Sequence, residues 1–166
     1  MTDLAYRATA DVSDEAGDAA LVADPMFTRY GARERYAGRI ATLKIFEDNQ
    51  LVRTVLSRPG QGRVLVVDGG GSRRCALVGD SLAKLASDQG WAGIVVFGCI
   101  RDTLEIGAID IGIHALGAHP KKTKKRGEGI EDEPVTFGGV TFCRGDALYA
   151  DSDGIVVIPA GGSQYP

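Results

Sequence analysis

Two uninterrupted apolar runs, Val64-Leu65-Val66-Val67 and Ile94-Val95-Val96-Phe97, stand in the middle of the chain. Short runs without alternation belong to strands covered on both faces. Ala37 to Phe46 instead alternates around Gly38-Arg39-Ile40-Ala41-Thr42-Leu43-Lys44-Ile45, which predicts a strand with one buried face. Between these segments the period lengthens. Leu51, Val52, Val55 and Leu56 share one side of a helix that begins near Asn49 and ends at Pro59-Gly60. Asp80-Ser81 supplies capping residue types ahead of a helix that carries Leu82, Leu85 and Ala86 inward and closes at Gly90. Shorter helices are predicted near Asp11 or Ser13 and over 103–107, and Ile109 to Leu116 reads as strand. Val135 to Phe137, Gly138-Gly139 and Val140 to Phe142 read as a hairpin or a bent strand. Ile155 to Ile158 forms the last strand after the turn 151–154. Strands alternate with helices in the middle and follow one another at the end, so the fold class is mixed α/β.

Composition narrows the setting. A chain of 166 residues suits a single domain over 1–166, and 44% hydrophobic residues supply a core. Glycine is in excess: 23 residues, roughly twice the usual share of about 7%, without a collagen period. No apolar run approaches the roughly 20 residues of a membrane span. The N-terminus lacks the charged and apolar regions of a signal peptide, so a cytoplasmic protein with no membrane partner is expected. Cys75, Cys99 and Cys143 are far apart and odd in number, which fits neither a disulfide framework nor a zinc site. A net charge of −3 and a pI near 5.4 argue against direct nucleic-acid binding.

Candidate chemistry gathers at three junctions between apolar and polar sequence. Asp68-Gly69-Gly70-Gly71 follows a strand but lacks the G-x-G-x-x-G pattern of a nucleotide loop, and it reads first as a tight turn. At Gly79-Asp80-Ser81-Leu82 a helix start would leave the N–H groups of Ser81 and Leu82 free for a small carboxylate, with Gly79 admitting the ligand close to the backbone. The same residues also fit a plain cap by Asp80. Arg101-Asp102 joins a bidentate carboxylate fork to a hard-cation ligand, with Glu105 one turn away to hold metal-bound water; a capping ion pair fits equally. His114 and His119 have no partners at zinc spacing and read as structural. Lys121-Lys122-Thr123-Lys124-Lys125-Arg126, followed by an acidic stretch, reads as a solvated loop.

In order along the chain, these segments resemble one family: 64–71, Ala76 to Asp80, Gly98 to Asp102, Ile109 to Ile113, Phe137 to Phe142, Gly145-Asp146 and Asp151 to Ile155. It is the family of regulator of ribonuclease activity A-like proteins and 4-hydroxy-4-methyl-2-oxoglutarate aldolases, and the similarity runs from about Thr9 to Ile158. The resemblance implies a swivelling β/β/α-type domain, a mixed sheet with flanking helices, assembled as a homotrimer. It implies a class II pyruvate aldolase, dependent on Mg²⁺ or Mn²⁺, that cleaves a small 2-oxo acid and also decarboxylates oxaloacetate. Carried over by position, Gly79, Asp80, Ser81, Leu82 and Arg101 bind substrate, Arg101 and Asp80 serve catalysis, and Asp102 ligates the metal with Glu105 behind a water. The chain's length is that of the shorter, regulator-type members, and the alternative it implies is a protein that binds and inhibits an RNase E-like ribonuclease. Asp102 favours the enzyme. A methyltransferase, suggested by the Gly69 to Gly71 run, is a third reading.

Overall fold

The computed structural model describes residues 3–162. Helix α1 spans Thr9–Ala16, and strands β1 (Leu21–Val22) and β2 (Thr28–Tyr30) follow. The central succession is β3 (Tyr36–Lys44), α2 (Gln50–Leu56), β4 (Val64–Asp68), β5 (Ala76–Val78), α3 (Asp80–Asp88), β6 (Gly93–Ile100), α4 (Thr103–Ile106) and β7 (Gly112–Ala118). The chain then runs through β8 (Ile130–Glu131), β9 (Val135–Phe137), β10 (Val140–Phe142), β11 (Ala147–Asp151) and β12 (Gly154–Ile158). This is the mixed α/β class that the pattern predicts, with the flanking helices that the family resemblance implies.

Among the described residues one sheet runs in the order β1-β12-β11-β3-β4-β6-β7-β2, with β5 added to the end of β6 and β8 to β3. Its middle, β3-β4-β6-β7, is parallel, and the flanks are antiparallel. β9 and β10 form a separate hairpin, as expected from the paired Val-Thr-Phe segments. No helix among these residues is long and apolar enough to cross a membrane.

Alternate residues of the same strands serve two cores, which is the reason the apolar runs are continuous. Leu65, Val67, Ile94 and Val96 pack with Val52, Leu56, Leu82 and Ala86 of the helical layer. Val64, Val66 and Val95 pack on the other side with Phe137, Phe142 and Leu148. β3 follows the same rule: Ala41 and Leu43 join the first core and Ile40 the second. The single buried face predicted for it is therefore corrected, since the hairpin covers the face assigned to solvent.

Further boundaries move: the strand predicted over Ile109 to Leu116 runs instead over Gly112–Ala118. β6 continues through Gly98-Cys99-Ile100, because β5 pairs with its last residues and Arg101 N–H donates to the Val78 carbonyl at 2.9 Å. The strand thus opens at Arg101 rather than after Phe97. α1 begins at Thr9, ahead of the predicted start, because the Thr9 N–H and hydroxyl donate to buried Asp151 at 2.9 and 2.7 Å.

Candidate active site

The site lies where β5 and β6 end side by side. β5 runs into Gly79, the residue preceding α3, and β6 runs into Arg101 and Asp102, the residue preceding α4. Asp102 is left-handed (φ 56°, ψ 42°), a conformation that aspartate tolerates better than most residues. The turn sets its carboxylate over the start of α3, where Oδ2 accepts the Asp80 N–H at 3.1 Å. Gly79 is extended (φ −121°, ψ −171°), so backbone freedom does not require glycine there. Space does: a Cβ would stand 2.7 Å from Asp102 Oδ2. The glycine admits the carboxylate of Asp102 to the backbone, rather than a ligand as the sequence suggests.

Asp80 is the first residue of α3 and makes no side-chain cap, which corrects the plain-cap reading. The N–H groups of Ser81 and Leu82 have no acceptor among the described residues, whereas Ala83 N–H already bonds the Gly79 carbonyl. Gly79, Asp80, Ser81, Leu82, Arg101 and Asp102 border one cavity of about 230 Å³. Its floor is apolar where Leu82 turns into the core. Glu105, exposed on α4, does not line it.

Opposite these residues stands a wall that the sequence pattern does not identify. Arg53 on α2 donates to Ser81 Oγ at 2.8 Å. Lys122 and Lys125 enter from the 119–129 loop, which is held at several points. Buried Thr123 donates to Asn49 Oδ1 at 2.7 Å, and Asn49 donates to the Leu77 carbonyl at 3.0 Å. Asp48 accepts the N–H groups of Arg126 and Glu128 at 2.9 and 3.1 Å. Burial would raise the Asp48 carboxyl, but these backbone donors, with those of Gln50 and Gly127, hold it below its ordinary range. The charged side chains of the basic run are exposed, as a solvated loop predicts, but its backbone is anchored along one side of the cavity.

Asp102 suits a hard divalent cation. Its Oδ1 accepts no hydrogen bond from the described residues, and a second carboxylate, Asp80, borders the same cavity. No set of three His, Cys, Asp or Glu side chains among those residues could hold a metal by itself. One or two carboxylates with waters and ligand oxygens is the arrangement that Mg²⁺ favours, so the donors fit such a cation.

A sequence profile of the RraA-like family, Aldolase/RraA, matches residues 9–157. The chain belongs to the Aldolase/RraA family. A relative from Laribacter hongkongensis, provisionally named a 4-hydroxy-4-methyl-2-oxoglutarate aldolase, is 57% identical over 151 residues, covering 91% of this chain and 95% of its own. An RNA-processing inhibitor RraA from Thermus superposes with a TM-score of 0.89 at 45% identity, over 96% of this chain and 99% of its own. A Geobacillus kaustophilus protein described as an S-adenosylmethionine:2-dimethylmenaquinone methyltransferase gives 0.88 at 46%, over 96% and 100%.

The names of these Aldolase/RraA relatives point to different activities, and the glycine loop bears on one of them. Gly69 and Gly71 N–H groups both donate to the Phe97 carbonyl at 3.1 Å, and Gly70 N–H donates to Asp68 Oδ1 at 2.9 Å. The N–H groups of all three glycines are thus spent inside the fold, as befits a structural turn. His114 is likewise a core group in this Aldolase/RraA chain: its Nδ1 accepts the Tyr36 hydroxyl at 2.6 Å and Nε2 meets the Asp151 carbonyl at 3.3 Å. Burial pushes its pKa down to about 4. His119 borders the outer side of Arg101 and Asp102, and its Nδ1 accepts the Lys121 N–H at 3.2 Å.

Proposed function

We propose that this chain is a carbon–carbon lyase that cleaves 4-hydroxy-4-methyl-2-oxoglutarate into two molecules of pyruvate, using Mg²⁺ or Mn²⁺ held at Asp102. The observation that carries the reading is the meeting of Arg101, Asp102 and Asp80 with two unbonded N–H groups at one small cavity. The aldolase name of the Laribacter relative supports it. When bound, the metal supplies Lewis-acid polarisation of the 2-oxo group.

The chain's own residues do the rest. The Ser81 and Leu82 N–H groups, at the positive end of α3, receive the carboxylate next to the 2-oxo carbon. Arg101 offers its guanidinium to the oxygen on which negative charge grows as the C3–C4 bond breaks, so it stabilises the transition state more than the ground state. Asp80 takes the proton of the C4 hydroxyl, directly or through one water, and that oxygen becomes the new ketone of one pyruvate. The electron pair of the broken bond stays on C3 as the enolate of the second pyruvate. The same proton, returned from Asp80, completes its methyl group. Oxaloacetate decarboxylation follows the same logic, with CO₂ leaving in place of a ketone. In this reading the enzyme works in the cytoplasm as a homotrimer, as the family resemblance implies.

Pyruvate release coupled to lactate dehydrogenase tests the proposal. Wild type is expected to release pyruvate only when Mg²⁺ or Mn²⁺ is present. Asp102→Ala is expected to lose activity, and Arg101→Ala to lose about 10²–10³-fold, as when a developing oxyanion loses its donor. Metal-independent release, or full activity in Asp102→Ala, would overturn it. The similarity to the Thermus RNA-processing inhibitor supports a second reading, a ribonuclease-binding regulator. Inhibition of RNA cleavage that survives Asp102→Ala would favour that reading.

A further inference from the structure

The lyase reading uses one end of the cavity and leaves its basic wall without a task. Arg53, Lys122 and Lys125 border it opposite Asp80 and Asp102, and with Arg101 the cations outnumber the carboxylates before any ligand enters. The acidic stretch after the lysines does not neutralise them. Glu131 pairs with Arg58 and Asp132 with Arg144 instead. Among the described residues, neither Lys122 nor Lys125 forms an ion pair or a side-chain hydrogen bond.

Their backbone, in contrast, is fixed on both sides. Lys122 lies in a bridge to Ala76, whose N–H donates to the Lys121 carbonyl at 2.8 Å. Lys125 lies between buried Thr123, tied to Asn49, and Arg126, tied to Asp48. Holding a loop in this way costs conformational entropy, and it keeps two exposed, unpaired ammonium groups beside a small polar cavity. Lys125 borders this cavity alone, whereas Lys122 also borders a neighbouring one of about 450 Å³.

We propose that Lys125, seconded by Lys122, forms a subsite for the distal carboxylate of the substrate and so selects 2-oxo dicarboxylic acids over 2-oxo monocarboxylic acids. The inference rests on the lyase reading for its substrate class, and it assigns to the basic loop the recognition of the end that does not react. Arg53, which borders the same cavity, is committed in part to Ser81 Oγ. Lysine suits this task, since a flexible point charge reaches carboxylates of different spacing without demanding a bidentate geometry.

Binding measured without turnover separates this inference from the one beneath it. Isothermal titration with 2-oxoglutarate and with 2-oxopentanoate, in buffer containing Mg²⁺, compares two acids that differ in the distal carboxylate. Wild type is expected to bind the dicarboxylate at least about tenfold tighter, the scale of a partly exposed charge pair with hydrogen bonds. Lys122→Gln/Lys125→Gln is expected to bring that ratio close to one. Lys84→Gln, on an exposed turn of α3 and paired with Asp88, is expected to keep it. Equal binding of the two acids by wild type, or an unchanged ratio in the double variant, overturns the subsite. Failure of wild type to release pyruvate overturns the lyase reading without touching this ratio.

Discussion

Gly79→Ala isolates the placement of Asp102 from every other feature of the site. The residue is extended, so alanine meets no backbone strain there. Its Cβ would stand 2.7 Å from Asp102 Oδ2, so the carboxylate must retreat by about 0.7 Å to reach ordinary contact. That shift weakens the 3.1 Å bond from Asp80 N–H and moves the carboxylate relative to Arg101. Misplacement on the order of 1 Å at a reacting centre costs about 10²-fold in rate, so kcat/KM should fall about 10–100-fold. Stability should change little. The lost hydrogen bond costs about 1 kcal/mol, and alanine recovers roughly 0.4–1 kcal/mol by stiffening the unfolded chain. Thermal unfolding should therefore shift by no more than about 4 °C in a chain of this size. Steady-state pyruvate release and a melting curve on the same preparation give both numbers. A Gly79→Ala protein with wild-type kcat/KM would refute the reasoning, because it would show that the reaction does not depend on where Asp102 sits.

His114 predicts a pH dependence of stability. Its folded pKa is about 4, below the ordinary 6.5, so the unfolded chain takes up a proton that the folded chain refuses; stability is lost as pH falls from about 6.5 to 4, by about 3 kcal/mol. Urea midpoints across that range should fall steeply for wild type and much less for His114→Gln, and parallel curves would show that another group controls the slope. Asp48→Ala removes the acceptor of the Gln50, Arg126 and Glu128 N–H groups, which should cost about 2–3 kcal/mol of stability and raise KM as Lys122 and Lys125 lose their seat. Denaturant unfolding with substrate kinetics checks it, and an unchanged KM would detach the basic wall from binding.

The elements that carry the fold were legible because burial on two faces leaves an unmistakable mark. Val64–Val67 and Ile94–Phe97 are apolar at every position since each residue serves one core or the other. β3 was harder to read: Gly38, Arg39, Thr42 and Lys44 interrupt its apolar positions, and Thr42 is buried with its hydroxyl donating to the Glu133 carbonyl at 2.7 Å. Of the site, the residues on Gly79 to Leu82 and at Arg101-Asp102 were visible because strand ends and helix starts are local events. The opposite wall was not. A lysine run carries the same signature in solvent as in a cavity, and what separates the cases is Asp48, Asn49 and Thr123, which meet only when the chain is folded. The need for glycine at 79 is equally hidden in the sequence, since its close neighbour is a side chain 23 residues away and not a ligand.

The most direct test of the central claim is the product count from 4-hydroxy-4-methyl-2-oxoglutarate. With Mg²⁺ present, the wild-type protein should yield two pyruvates for each substrate molecule consumed, and Asp102→Asn should consume almost none. Substrate left intact by the folded, metal-supplied wild type would contradict the account.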